Sequence, residues 1–158
     1  MFPFKIRVLG DEGHPAEVWM NRKKVASFRP SYVAGTVKAS QDRLYNANFK
    51  VTPFMNELAE AYETCRAREN IRKGANIALT KIYRYLAPTA RAKKDYDSQA
   101  FAFDLAKAYE EGPENWVTKS GMKFTFGTSR DGSGIRVLSK TGKETYISTL
   151  RPIHEGDE

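Results

Sequence analysis

Residues 52–65 have the sequence TPFMNELAEAYETC, the most regular periodic pattern in the chain. Thr52 followed by Pro53 favours a helix start, because threonine can cap free amides and proline has no amide to satisfy. Apolar residues then recur at helical spacing, at positions 54, 58, 61, 62 and 65. The segment therefore predicts an amphipathic helix with one buried face, on which Cys65 is an inert thiol.

The helical pattern continues from this segment, so we predict a helical block over residues 52–112. Apolar residues at helical spacing recur between Ile71 and Leu86, about 90° out of phase with the first stripe. Either the helix breaks near Asn70, or one long helix packs against different partners with its two halves. A further helix is predicted from Asp97 or Ser98, and the Gly-Pro pair at 112–113 ends it.

Alternating apolar and polar residues on both sides of this block predict strands. Phe4, Ile6 and Val8 alternate with lysine and arginine, and the segment around Asn21 is typical of a hairpin turn. Residues 31–50 fit either strand or loop. Near the other end, alternation at 122–126 and apolar runs at 135–138 and 144–150 are separated by turn-like segments.

These patterns predict an α+β fold in one domain spanning residues 1–158. Antiparallel strands or a hairpin occupy residues 1–50, two to three helices occupy 52–112, and an antiparallel β-meander occupies 116–151. Strands grouped apart from helices favour this class over a doubly wound parallel sheet.

Composition restricts the class of protein further. The chain has 158 residues, a formal net charge of +7 and a single cysteine, which excludes collagen-like and disulfide-scaffold proteins. No signal-peptide pattern is present, and no apolar run reaches the roughly 18 residues of a spanning helix. We therefore expect a cytoplasmic protein in a reducing compartment, with no membrane partner.

The sequence lacks the common catalytic and metal-binding motifs. It contains two histidines and one cysteine, too few for the usual structural zinc site, and it has no phosphate-binding Walker loop. No aspartate or glutamate has a lysine two positions later, which counts against a common type of metal-dependent nuclease. We predict no catalytic residue, metal site or cofactor, although an enzyme is not excluded.

Positive charge concentrates between residues 66 and 94, a segment that contains nine basic residues and one acidic residue, Glu69. On one continuous helix Arg66, Lys73, Lys81 and Arg84 would form a stripe about 80° wide, opposite the apolar residues. Tyr83 and Tyr85 flank Arg84 and could stack on bases. The charge also has plainer explanations, since an amphipathic helix exposes charged residues and its C-terminus attracts cations.

We therefore expect a non-enzymatic nucleic-acid-binding protein that contacts phosphates through this segment. A basic hairpin would supply a second contact. The predicted contact residues are Arg66, Lys73, Lys81, Arg84, Arg91, Lys93 and Lys94 in the segment, and Arg22, Lys23 and Lys24 in the hairpin. The patterns do not distinguish DNA from RNA and do not predict an oligomeric state.

Two other functions stay open at this point. The first is a protein-interaction module, in which the basic helix docks on an acidic partner or on the acidic half, Glu57 to Glu63, of a second copy. The second is a metal-dependent enzyme that acts on nucleic acid through a site assembled from scattered residues. Candidates for such a site are Asp97, Asp104, Asp131 and Tyr96, although acidic residues at a helix start also cap the helix and complement its dipole.

Overall fold

The computed structural model describes residues 4–21, 23–45, 48–86, 96, 98–139 and 141–153. The chain divides into two compact units, Met1–Asn48 and Phe49–Glu158. Each contains an antiparallel sheet and at least one helix, which confirms the predicted α+β class. That the two units act as a single domain stays a prediction.

The N-terminal unit begins with a three-stranded antiparallel sheet in the order β1-β2-β3. Its strands are β1 (Ile6–Asp11), β2 (His14–Met20) and β3 (Lys23–Lys24). Asn21 adopts a left-handed conformation with φ of 58°, a conformation that asparagine tolerates better than most residues. The hairpin predicted around this residue is confirmed.

A helix, α1 (Pro30–Tyr45), follows the sheet in a region where the sequence suggested strand or loop. The sequence did not predict this helix, because Val33, Thr36 and Val37 are β-branched and such residues favour strands. The Thr36 hydroxyl donates a 2.9 Å hydrogen bond to the carbonyl oxygen of Tyr32, one turn earlier. Pro30 occupies the first helical position, where its fixed φ suits a helix start. Among the described residues of 1–50, strands are therefore confined to the first half.

The second unit opens with α2 (Val51–Arg68), which confirms the helix predicted from residue 52. The cap residue is Lys50, without a side-chain cap, so the prediction of Thr52 as the N-cap is wrong. Proline is nevertheless tolerated at position 53, because amides in the first turn have no intrahelical partner. The five apolar positions that predicted this helix are all buried: Phe54, Leu58, Ala61, Tyr62 and Cys65.

The helix ends where the apolar stripe changes phase. Asn70 has a φ of 53°, and the Ile71 amide donates a 2.9 Å hydrogen bond to the Arg66 carbonyl oxygen. The break near Asn70 is confirmed, and the single long helix is wrong. After a loop, the chain forms β4 (Ile77–Ala78) and the short helix α3 (Leu79–Leu86).

The last helix, α4 (Ser98–Glu110), begins at the predicted position. Gly112 follows it with a φ of 89°, which only glycine adopts without strain. A single 3-10 turn, Pro113–Asn115, leads into the C-terminal strands. The predicted stop at Gly112 and Pro113 is confirmed, and no helix in the described part of the chain is long and apolar enough to cross a membrane.

The C-terminal strands form an antiparallel sheet with the short strand β4. They are β5 (Phe124–Ser129), β6 (Ile135–Leu138) and β7 (Glu144–Pro152). Both β5 and β6 pair with β7 rather than with each other, and β4 pairs with the later part of β7. The sheet is antiparallel as predicted, but its strands are not arranged in chain order.

Within the second unit, one hydrophobic core joins α2, α3 and α4 to the C-terminal sheet. The ring of Tyr62 meets the ring of Phe124 edge to face, with centroids 5.9 Å apart. Trp116 is also buried, and its indole N–H donates a 2.7 Å hydrogen bond to the Ala108 carbonyl oxygen. This hydrogen bond satisfies the buried indole N–H, as burial requires.

Candidate nucleic-acid interface

The predicted basic segment is divided among three structural elements. Arg66 and Arg68 lie in the last turn of α2, Arg72 and Lys73 lie in the loop that follows, and Lys81 and Arg84 lie on α3. We call these six cations, together with Glu63 and Glu69, the α2–α3 cluster. The other predicted contact residues of the segment, Arg91, Lys93 and Lys94, lie outside the described residues.

Arg66 is paired within its own helix. Its Nη2 atom lies 2.7 Å from Glu63 Oε2, and its Nε–H donates a 2.8 Å hydrogen bond to the same oxygen. The two residues are three positions apart, a spacing at which helical side chains meet. The Arg66 charge is therefore largely neutralised by its own helix.

Lys81 is paired across the break between α2 and α3. Its Nζ atom lies 2.8 Å from Glu69 Oε2, and the Tyr85 hydroxyl reaches the other carboxylate oxygen at 3.5 Å. The hydrogen bond from Lys81 is the main reason that the pKa of Glu69 falls below its usual value, and Arg84 lowers it further. The same contact raises the pKa of Lys81, so both members of the pair stay charged near neutral pH.

The basic stripe that one continuous helix would have carried is therefore absent from the part of the chain that the structure describes. The chain reverses at Asn70, and two of the predicted contact residues, Arg66 and Lys81, already face carboxylates. Within the described residues, the cluster's other four cations are exposed and have no carboxylate within 4 Å. These four are Arg68, Arg72, Lys73 and Arg84.

The helix dipole explains only part of the cluster. Arg66 and Arg68 occupy the last turn of α2, where the partial negative charge of the helix end favours cations. That effect fades beyond one turn. It does not account for Arg72 and Lys73 in the loop or for Arg84 on the next helix.

The predicted second contact lies in the N-terminal sheet. Lys23 and Lys24 form β3, whereas Arg22 lies outside the described residues. Lys24 forms a salt bridge with Glu17 of β2. The hydrogen bond from Lys24, followed by one from Trp19, lowers the pKa of Glu17. Lys24 is therefore paired in this structure rather than free.

The structure places two further cations on this sheet that the sequence analysis did not select. Lys5 lies just before β1 and Arg7 lies within it; Arg7 is directly opposite Trp19, which in turn lies opposite Lys24. The signal was available, because residues 1–48 contain eight basic and four acidic residues. Acids elsewhere in the chain offset this excess, so it does not stand out in the overall net charge.

The scattered acidic residues do not assemble a site in the described residues. Asp131 accepts hydrogen bonds from the Ser133 amide at 2.9 Å and the Ser129 hydroxyl at 2.7 Å, and these contacts lower its pKa to about 2. It therefore closes its own turn. The Tyr96 hydroxyl donates a 3.0 Å hydrogen bond to Asp104, while Asp97 lies outside the described residues.

Metal-binding and nucleophilic groups are equally sparse. Across the ranges that the structure describes, no three histidine, cysteine, aspartate or glutamate side chains are grouped to hold a metal ion. Cys65 is fully buried, and burial raises the pKa of its thiol. A neutral, inaccessible thiol is a poor nucleophile, which agrees with its expected structural role.

Comparison with known proteins identifies no matching family model, no matching curated protein and no matching solved structure.

Proposed function

We propose that the protein binds nucleic acid without enzymatic activity, through phosphate contacts made by the α2–α3 cluster. One observation supports this proposal above all. The cluster holds six cations and two carboxylates, and both carboxylates are already paired. Four exposed cations without a carboxylate within 4 Å are left over, and an excess of one charge sign on a surface favours an anionic partner.

Nucleic acid suits such a surface because its phosphates carry closely spaced negative charge. Each neutralised phosphate releases condensed counterions, so affinity falls as salt concentration rises. If the four exposed cations each contact one phosphate, the slope of log affinity against log salt is about −3.6 on duplex DNA. No base-reading residue is invoked, so this contact is expected to be independent of sequence.

The test compares two variants that remove equal charge from different places. The cluster variant replaces Arg68, Arg72, Lys73 and Arg84 with Gln. The control variant replaces four other exposed cations with Gln: Lys119, Lys123, Arg130 and Lys143. Both lose four charges, so a purely non-specific attraction weakens equally in both.

Fluorescence anisotropy with labelled DNA and RNA at three salt concentrations measures the outcome. We expect the cluster variant to lose most of the salt slope and the control variant to retain most of it. Equal losses in both variants, or no binding by the unaltered protein at low salt, would overturn the proposal. Heparin of equal charge serves as the competitor. A nucleic-acid-binding protein should prefer DNA or RNA to heparin, whereas a surface that attracts any acidic partner should not.

A further inference from the structure

One face of the N-terminal sheet combines cations with an aromatic ring. Side chains alternate between the two faces of a strand, so Arg7 and Leu9 of β1 share a face. The pairing register adds Trp19 and Glu17 of β2 and Lys24 of β3 to that face, in the row Arg7–Trp19–Lys24. Directly opposed side chains in such a row lie about 5 Å apart. We call this surface the Trp19 face.

Lys5 extends the row of cations beyond the start of β1. Its amide donates a 2.9 Å hydrogen bond to the Asn21 side chain, and its carbonyl oxygen accepts one of 2.7 Å from the Asn21 amide. Strand alternation therefore continues to Lys5 and places it on the same side as Arg7. Three cations and one carboxylate thus share the Trp19 face.

The cations of the Trp19 face are exposed to solvent, and the opposite face is buried only in part, since Val8 on that face is 69% exposed. Lys5, Arg7 and Lys24 are exposed and Trp19 is half-buried. On the opposite face Val18 and Val25 are buried, at 5% and 7% exposure. A sheet normally turns its polar face to water, and on this one an aromatic ring lies between two cations, Arg7 and Lys24.

Hydrogen bonding leaves the Trp19 ring with only its apolar surface available. The indole N–H donates a 3.1 Å hydrogen bond to Glu17 Oε2, and Glu17 also pairs with Lys24. The ring is therefore held in place, and its single donor is already used. It cannot read the edge of a base by donating a hydrogen bond, whereas it can stack on the flat face of one.

We infer that the Trp19 face binds single-stranded nucleic acid, with one base stacked on Trp19 and neighbouring phosphates beside Lys5 and Arg7. Paired bases hide their faces between their neighbours, so only an unpaired base can use the ring in this way. A basic surface that carries aromatic stacking positions is the usual means of binding single strands. The inference rests on the proposed function and adds to it the form of nucleic acid and a second contact surface.

The first test measures binding of a labelled oligothymidylate of about 12 nucleotides, a length within the site sizes of such surfaces, and of a duplex of equal length. Trp19→Ala is expected to weaken single-strand binding about 5- to 150-fold, the effect of losing one stacked base. Duplex binding should change less than about twofold. Trp19→Phe keeps an aromatic ring and should restore most of the single-strand affinity.

Leu9→Ala is the matched control, because it removes an exposed apolar side chain from the same face without removing a ring. Circular dichroism of each variant shows whether the sheet is intact. Intrinsic fluorescence adds a direct measurement, since the chain has two tryptophans and Trp116 is buried in the other unit. Oligothymidylate should quench the tryptophan fluorescence of the unaltered protein and should leave that of Trp19→Phe unchanged.

The outcomes separate this inference from the proposed function. If the unaltered protein binds neither oligonucleotide, the proposed function fails and the inference fails with it. If the α2–α3 cluster variant weakens binding while Trp19→Ala does not, the inference alone is wrong. Equal weakening of single-strand and duplex binding by Trp19→Ala also overturns it, because stacking on an unpaired base cannot produce that result.

Discussion

Lys81 Nζ lies 2.8 Å from Glu69 Oε2, so the first turn of α3 is joined to the residue that caps the end of α2. The two residues are twelve positions apart, and only the reversal at Asn70 brings them together. The carboxylate of Glu69 therefore has two roles. It links two helices, and it lowers the positive charge of the α2–α3 cluster.

Glu69→Gln tests the second role. Removing the carboxylate frees Lys81 for a phosphate, so we expect nucleic-acid affinity to rise several-fold at about 0.1 M salt and the salt slope to steepen by about 0.9. An ion pair at the surface contributes little to folding, so the free energy of unfolding should change only slightly. Glu60→Gln makes the same charge change on the exposed side of α2. An equal gain from that control would show that net charge, and not Lys81, is responsible.

Tyr62 anchors the loop after α2, because its hydroxyl donates a 2.8 Å hydrogen bond to the Ala75 carbonyl oxygen. Tyr62→Phe should lower the free energy of unfolding by about 1 kcal/mol at neutral pH, the usual cost of losing such a bond. Urea unfolding followed by circular dichroism measures this difference. An unchanged unfolding midpoint would show that the loop does not depend on the bond.

Comparison of the unaltered protein with Tyr62→Phe also gives a prediction about pH. Burial raises the pKa of Tyr62 above its usual value of 10.0, so the unfolded chain loses this proton first as pH rises. Stability contributed by the protonated hydroxyl is present below pH 10 and declines above it. The difference in stability between the unaltered protein and Tyr62→Phe should therefore narrow above pH 10. A difference that stays constant up to pH 11 would contradict this.

The Cys65 thiol should resist chemical modification in the folded protein. It is fully buried, and burial raises its pKa, so little thiolate forms and reagents cannot reach it. Reaction with a thiol-specific disulfide reagent at pH 8 is expected to be at least about a hundredfold slower in buffer than in denaturing urea, because only opened molecules react. Comparable rates under both conditions would place Cys65 at the surface.

Gly134 and Gly142 provide a matched test of backbone packing in the C-terminal sheet. Both have positive φ, at 109° and 82°. A Cβ at Gly134 would lie 2.6 Å from the Ile147 carbonyl oxygen, whereas one at Gly142 would have open space. We expect Gly142→Ala to lower the free energy of unfolding by about 1 kcal/mol. Gly134→Ala should lower it by about 3 kcal/mol or more, because β7 must also move to make room for the Cβ. Thermal unfolding of the two variants measures the difference. Equal losses of stability would show that β7 can shift without destabilising the sheet.

Much of the fold could be predicted because its signals are local. Helical spacing in α2 identified its buried face, and Gly112 with Pro113 identified the end of α4. The helix α1 was not predicted, because its β-branched residues carry a strand preference that the surrounding structure overrides. The pairing of β4 with β7 could not be predicted either, since Ile77 and Leu150 are far apart in sequence.

The candidate site was less predictable than the fold. The excess of cations between residues 66 and 94 is a property of composition, but which of them are free depends on where carboxylates lie in space. The Trp19 face shows the same limit, because its row joins residues from three strands. Lys5 and Arg7 were read as strand residues, and their proximity to Trp19 follows from the pairing register alone.

The amino-acid order by itself determined the α+β class, the buried face of α2, the change of phase in the apolar pattern after α2 and the concentration of positive charge. Each of these depends on residues within a few turns or strands of one another, where spacing and backbone preference act directly. Tertiary structure decided that Glu69 neutralises Lys81 and that Trp19 lies between Arg7 and Lys24. Electrostatic and stacking contacts act over a few ångströms of space, so they depend on which distant segments the folded chain brings together.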